Sequence, residues 1–247
     1  MAMSSTAVLH SEWIKIKSVR SVAGSLIAVF AATISVTVLA SSTVGQAEAD
    51  NPGKDLLFSA FYALNFGQIA AICFGASALS SEFLNGALRI SFTAVPSRSL
   101  FYFAKMATIG GLALVVGLIT SFAAFLVGQL FMGEYTIGLG EPGALRAAFG
   151  GGLYLALMAL LSAGLTAVLR SAVAALSLLI PFILIVSLVV GEIAGGAAQY
   201  LPDQAGQLVL RSQHEGSLGP WTGLAVTAGW ASAALVAGWW TLRKRDA

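Results

Sequence analysis

Long uncharged stretches separated by short clusters of charge set the pattern of hydrophobic and polar positions along this chain. Each stretch covers about 20 residues, which at ~1.5 Å rise per residue matches the ~30 Å hydrocarbon layer of a bilayer. The pattern predicts six transmembrane helices at about residues 22–41, 58–81, 106–131, 147–169, 171–190 and 221–242, none holding Asp, Glu, Lys, Arg or His. The expected fold class is an all-α membrane protein.

The connections alternate in charge, which orients the bundle because Lys and Arg accumulate on the cytoplasmic side. With both termini cytoplasmic, the inner segments hold Lys15, Lys17, Arg20, Arg89, Arg98, Lys105, Arg170, Arg243, Lys244 and Arg245. The outer segments hold only Lys54, Arg146 and Arg211, completing the 13 basic residues. Trp221 at one end of the last stretch, and Trp239 with Trp240 at the other, are spaced as interfacial anchors. Gly219-Pro220 suits a loop turning into a helix at its first position. The basic start followed by an apolar run resembles a secretory signal, but 20 uncharged positions exceed a signal core of about 7 to 15. Residues 5–21 place Val8, Leu9, Trp13, Ile16 and Val19 at three- to four-residue steps opposite His10, Lys15 and Lys17. That spacing predicts an amphipathic helix on the inner membrane surface, with a frayed tail as the alternative.

Composition narrows the function classes. The chain is 57% hydrophobic and 10% charged, against roughly a quarter charged in soluble domains. A net charge of +2 gives no basic excess for nucleic acid. One cysteine, Cys73, excludes an intrachain disulfide and a cysteine-rich metal site. The two histidines, His10 and His214, fall on opposite sides of the expected membrane, and no protease, hydrolase or phosphate-loop motif occurs. No catalytic or metal site is expected, and no cofactor bound by this chain. Proton- and ion-coupled transporters usually keep ionisable groups near the bilayer midplane, so their absence points to an external energy source.

A separate energy-supplying subunit needs a docking surface, and the inner connection 82–98 is the one long enough to provide it. Phe83, Leu88, Phe92 and Val95 are spaced for a short amphipathic helix, Pro96 stops it, and Arg98 and Lys105 mark the headgroup level. An ordinary positively charged loop is the competing reading.

The motifs Glu82-x-x-x-Gly86-x-x-Arg89, Ala94-Val95-Pro96-x-Arg98 and Ala104-Lys105 resemble the coupling region of bacterial ATP-binding-cassette (ABC) transporter permeases of the type-2 exporter family. The similarity covers the whole chain, including Ser11-Glu12-Trp13-Ile14-Lys15, Tyr200-Leu201-Pro202 with Ala205-Gly206, and the basic end 242–247, with an actinobacterial flavour. It implies a single permease domain over 1–247, paired with a second copy, commonly identical, and driven by two cytoplasmic ATPases that carry ATP-Mg. By motif match it assigns ATPase coupling to Glu82, Gly86, Arg89, Pro96 and Arg98. Ala87 stands where many relatives carry Thr, which puts a hydrogen bond there in doubt. It also implies that outer residues 191–220 fold back as short helices, a flexible loop being the alternative. The expected setting is a bacterial plasma membrane, crossed several times.

Within the spans, Tyr62, Asn65 and Gln68 follow at three-residue steps and are candidates for a substrate pathway, or for hydrogen bonds between helices. Gly67, Ala71 and Gly75 form a small face for close helix packing. Pro181 should bend the fifth span, giving it a place to flex or only a static kink. Thr33 and Thr37 read as hydroxyls bonded to their own backbone. The leading expectation is an exporter permease for a hydrophobic or amphipathic small molecule or peptide, such as a drug or antibiotic. The alternatives are a lipid or glycan exporter of the same family, and a non-transporting immunity or sensor scaffold.

Overall fold

A computed structural model of the chain describes residues 11, 13–15, 20–51, 55–83, 97–186, 189, 195–212 and 216–244. Among these, all regular structure is helical. Helix α1 (Arg20–Ala40) continues through a π-helical turn, Ser41–Gly45, into Gln46–Ala49. Then come α2 (Leu56–Ala60), α3 (Leu64–Ser80), α4 (Arg98–Gln129), α5 (Ala144–Leu169), α6 (Ala172–Pro181), α7 (Pro202–Gln207) and α8 (Pro220–Lys244).

Five of the described helices are long and apolar enough to cross a membrane: α1 with its π-helical extension, α3, α4, α5 and α8. The expected span 171–190 is a shorter apolar helix over Ala172–Ile185, where α6 passes into a π-helical turn at Phe182–Val186. Pro181 closes the α-helical part because its ring nitrogen cannot bond back to the preceding turn.

Two expected boundaries are corrected. The stretch 58–81 is not one helix; it breaks at residues 61–63, between α2 and α3. Asp55 starts the first piece, its Oδ1 accepting from the N–H groups of Leu57 (3.0 Å) and Phe58 (3.1 Å). The stretch 106–131 begins eight residues earlier, at Arg98, with Ser97 capping the Leu100 N–H. Lys105 thus lies inside α4 rather than in a connection, and a cation enters the helical bundle. The short reversal between α5 and α6 is made by Arg170 in the left-handed conformation (φ 54°), after which Ser171 caps α6.

Helix α5 is the hub, packed against α3, α4, α6 and α8, while α1 lies outside on α3 and α4. Small residues permit this. A Cβ on Gly75 of α3 would collide with the carbonyl of Ala159 on α5, and one on Gly67 with the Thr33 hydroxyl of α1. Lipid offers no hydrophobic drive between helices, so such close backbone approach supplies the dispersion energy that holds spans together. Thr33 and Thr37 donate to the carbonyls of Val29 (2.7 Å) and Thr33 (2.9 Å), keeping their hydroxyls within α1.

The segment after α6 folds as a 3₁₀ helix at Gly195–Tyr200, then α7, then a 3₁₀ turn at Leu208–Leu210. It packs on α8: Trp230, ten residues into α8, donates to the Tyr200 carbonyl (3.0 Å), and Thr227 donates to that of Pro202 (2.8 Å).

Candidate functional site

One end of the bundle gathers the charges. Glu82 follows α3 in a 3₁₀ turn and is buried, 4% exposed; Lys105, about two helical turns into α4, is 1% exposed. The Lys105 Nζ donates to Glu82 Oε1 at 2.7 Å. The Nζ of Lys15 reaches the same oxygen at 3.3 Å and lies 5.4 Å from the centre of the Phe101 ring. Burial is tolerated because each charge meets its opposite; a lone ion here would cost several kcal/mol.

Lys105, expected from the sequence in a connection, is buried inside the protein, and Lys15, expected on the polar face of a surface helix, turns to Glu82. Among the described N-terminal residues, Ser11, Trp13 and Ile14 are exposed. The rest of the expected 5–21 amphipathic face lies outside the described residues.

The same end ties α4 to α8. Arg98 Nη1 donates to the carbonyls of Leu242 (3.3 Å) and Arg243 (3.4 Å), and Trp239 Nε1 donates to Ser99 Oγ (3.0 Å). Tyr102 OH donates to the Leu235 carbonyl at 2.9 Å. Arg243 lies over Trp239 and Lys244 over Trp240, at 4.9 and 4.5 Å. Glu82, before the stretch 84–96, and Arg98, after it, are both fixed to other helices. Gly86, Arg89 and Pro96 lie outside the described residues.

The proposed pathway residues are not brought together. Tyr62 sits exposed in the 61–63 break, and Asn65 Nδ2 donates to the Tyr62 carbonyl at 2.9 Å. Gln68 is buried and turned to α5, where its Oε1 accepts from Tyr154 OH. Gln207 of α7 reaches that hydroxyl at 3.5 Å. Pro181 is exposed on α6. Six residues turn a helix by about 600°, which separates Tyr62 from Gln68 by roughly a third of a turn even without the break. Tyr154 and Gln207 escaped the sequence reading, and their only signal there was a hydrogen-bonding group in an apolar or outer stretch. Among the described residues, no cluster of three or more His, Cys, Asp or Glu could hold a metal ion.

The family described as ABC-2 family transporter protein matches residues 8–191, well over half of the chain. The chain belongs to the ABC-2 transporter family. No curated protein matches it. Membership makes the chain the membrane-embedded permease of an ABC transporter, a transport subunit whose family works with an ATPase partner. For this ABC-2 permease the matched region takes in the whole charged end except the part contributed by α8.

Proposed function

We propose that this permease is half of an exporter, paired with a second copy and with two cytoplasmic ATPases that bind ATP-Mg. Its termini and the 82–98 segment face the cytoplasm of a bacterial cell, and the cargo is a hydrophobic or amphipathic small molecule or peptide. The observation that carries this reading is the double anchoring of the 82–98 segment. Its entry is held by the Glu82–Lys105 ion pair and its exit by Arg98 on the end of α8. A push on the segment therefore moves α3, α4 and α8 together. Glu82 acts here by fixing the base of the segment, and Gly86, Arg89 and Pro96 are the residues proposed to meet the ATPase. Tyr62 and Pro181 are exposed on the protomer and available to a path between two copies, whereas the Gln68 amide is engaged inside one copy.

The test is reconstitution with a candidate cognate ABC ATPase from the same cell. Arg89→Glu and Arg98→Glu should each lower permease-stimulated ATP hydrolysis and export of a fluorescent amphiphile at least tenfold, with the complex still assembled for Arg98→Glu. Unchanged stimulation in both variants overturns the coupling assignment. An ATPase that never co-purifies favours a non-transporting scaffold.

A further inference from the structure

At the end of the bundle opposite Glu82, the outer ends of α1 and α4 and the α2–α3 break enclose a cavity of about 400 Å³. Two departures from α-helical geometry meet there, the π-helical turn Ser41–Gly45 and the break at residues 61–63, and both line it. Irregular backbone at membrane depth is tolerated where it lines a cavity or is buried in protein, and π-helical turns concentrate at functional sites. The walls are held from outside the cavity. Gln46 Nε2 donates to the Phe131 carbonyl (2.9 Å), Tyr135 OH to Asp50 Oδ1 (2.8 Å), and the Ser212 N–H to Asp55 Oδ2 (2.7 Å).

The lining has a distinct chemistry. Ala40, Val44, Phe58 and Met132 are apolar, and Ser41, Ser59 and Gln129 bring polar groups. Gln129 Oε1 accepts from the Ile137 N–H at 2.8 Å, which leaves its amide NH₂ as a donor at the cavity. The hydroxyls of Ser41 and Ser59 have no protein partner among the described residues and can each donate or accept. Asp55 is the one charged residue in the described lining; its carboxylate already accepts three backbone N–H groups, and Arg211 lies over the adjacent Phe58 ring at 4.9 Å. The described lining thus holds one carboxylate whose oxygens are engaged by backbone N–H groups, with the Arg211 cation beside the Phe58 ring, so neither sign of charge dominates the cavity.

We propose that this cavity binds an uncharged amphipathic molecule, its hydroxyl- or amide-bearing head on Ser41, Ser59 and Gln129 and its tail against Val44, Phe58 and Met132. The size and mixed lining are those of small-molecule sites. This site stands apart from the export reading, since binding here needs neither ATPase nor transport.

The test uses membranes holding the full chain and a photoreactive diazirine monoacylglycerol, beside a diazirine fatty acid and a diazirine alkylamine. The uncharged probe should label peptides 40–45, 55–62 or 128–132 saturably, and a tenfold excess of plain monoacylglycerol should abolish the label on the wild-type chain. Ser59→Phe and Ala40→Phe, which fill the cavity from different helices, should lower labelling at least tenfold in whichever variant keeps its melting temperature. Labelling that resists competition, survives both fillings, or is matched by either charged probe overturns the proposal. Organic extraction separates the sources. An endogenous uncharged lipid that leaves with wild type and not with Ser59→Phe marks a resident lipid, and probe binding without one marks an exported or environmental amphiphile; either upholds the site.

Discussion

A carboxylate and an ammonium buried within 2.7 Å of each other make Glu82 and Lys105 mutually dependent. Removing one strands the other in a medium that cannot solvate it, at a cost of about 3–5 kcal/mol. Lys105→Met should therefore lower the thermal stability of the purified permease strongly, and adding Glu82→Gln should recover most of the loss; a single variant that melts like wild type refutes the pair's role. Lys15, with its side chain 40% exposed, contacts the same oxygen but is screened by solvent and should matter less, at about 1 kcal/mol or below. At the opposite end, Tyr135 donates to Asp50, and this hydrogen bond, followed by the Asp50 charge, raises its hydroxyl above the ordinary 10.0. A raised value means the bond is fully present below pH 10 and lost as pH climbs through the raised value. Ultraviolet titration of wild type against Tyr135→Phe should show one tyrosine ionising late, and Asp50→Asn should return it toward 10.

Helix pairs here are governed by how closely backbones approach. Gly75 of α3 abuts the Ala159 carbonyl of α5, whereas a Cβ on Gly111 of α4 would meet nothing within 4 Å. Gly75→Val should cost about 1–3 kcal/mol or more through overpacking, and Gly111→Ala should stay within about 1 kcal/mol of wild type. Equal folded yields for the two, measured by size-exclusion of detergent extracts, would contradict the packing account. Helix α6 shows a different economy. Over its described residues 172–186 it passes from α-helical to π-helical geometry at Phe182, and the Gly195–Tyr200 turn with α7 packs beside α8.

For the molecule as a whole, the connections fall at two ends. Arg98 meets the α8 terminus at one; Asp55 meets Ser212, and Arg146 the Arg211 carbonyl, at the other. If the charged end is cytoplasmic, a membrane-impermeant maleimide on intact cells should label Glu141→Cys and spare Lys244→Cys in a Cys73→Ala background. The reverse pattern would turn the protein over and remove the 82–98 segment from reach of an ATPase.

Much of the architecture was legible in the pattern of charges because the bilayer admits only long uncharged helices, and a stretch without Asp, Glu, Lys or Arg announces itself at any position. The location of α1, α3, α4, α5 and α8, the start of α8 at Pro220, and the closed hydroxyls of Thr33 and Thr37 follow from that local chemistry. Helix limits and partners did not, because they depend on groups distant in sequence. Lys105 precedes an apolar stretch on paper, yet the chain carries it into the bundle because Glu82, 23 positions earlier, waits there to neutralise it. In sequence Gln68 is open between a pathway role and a hydrogen bond between helices, and only the fold brings Tyr154 to its oxygen; the cavity between Ser41, Ser59 and Gln129 likewise exists only where three separate stretches converge.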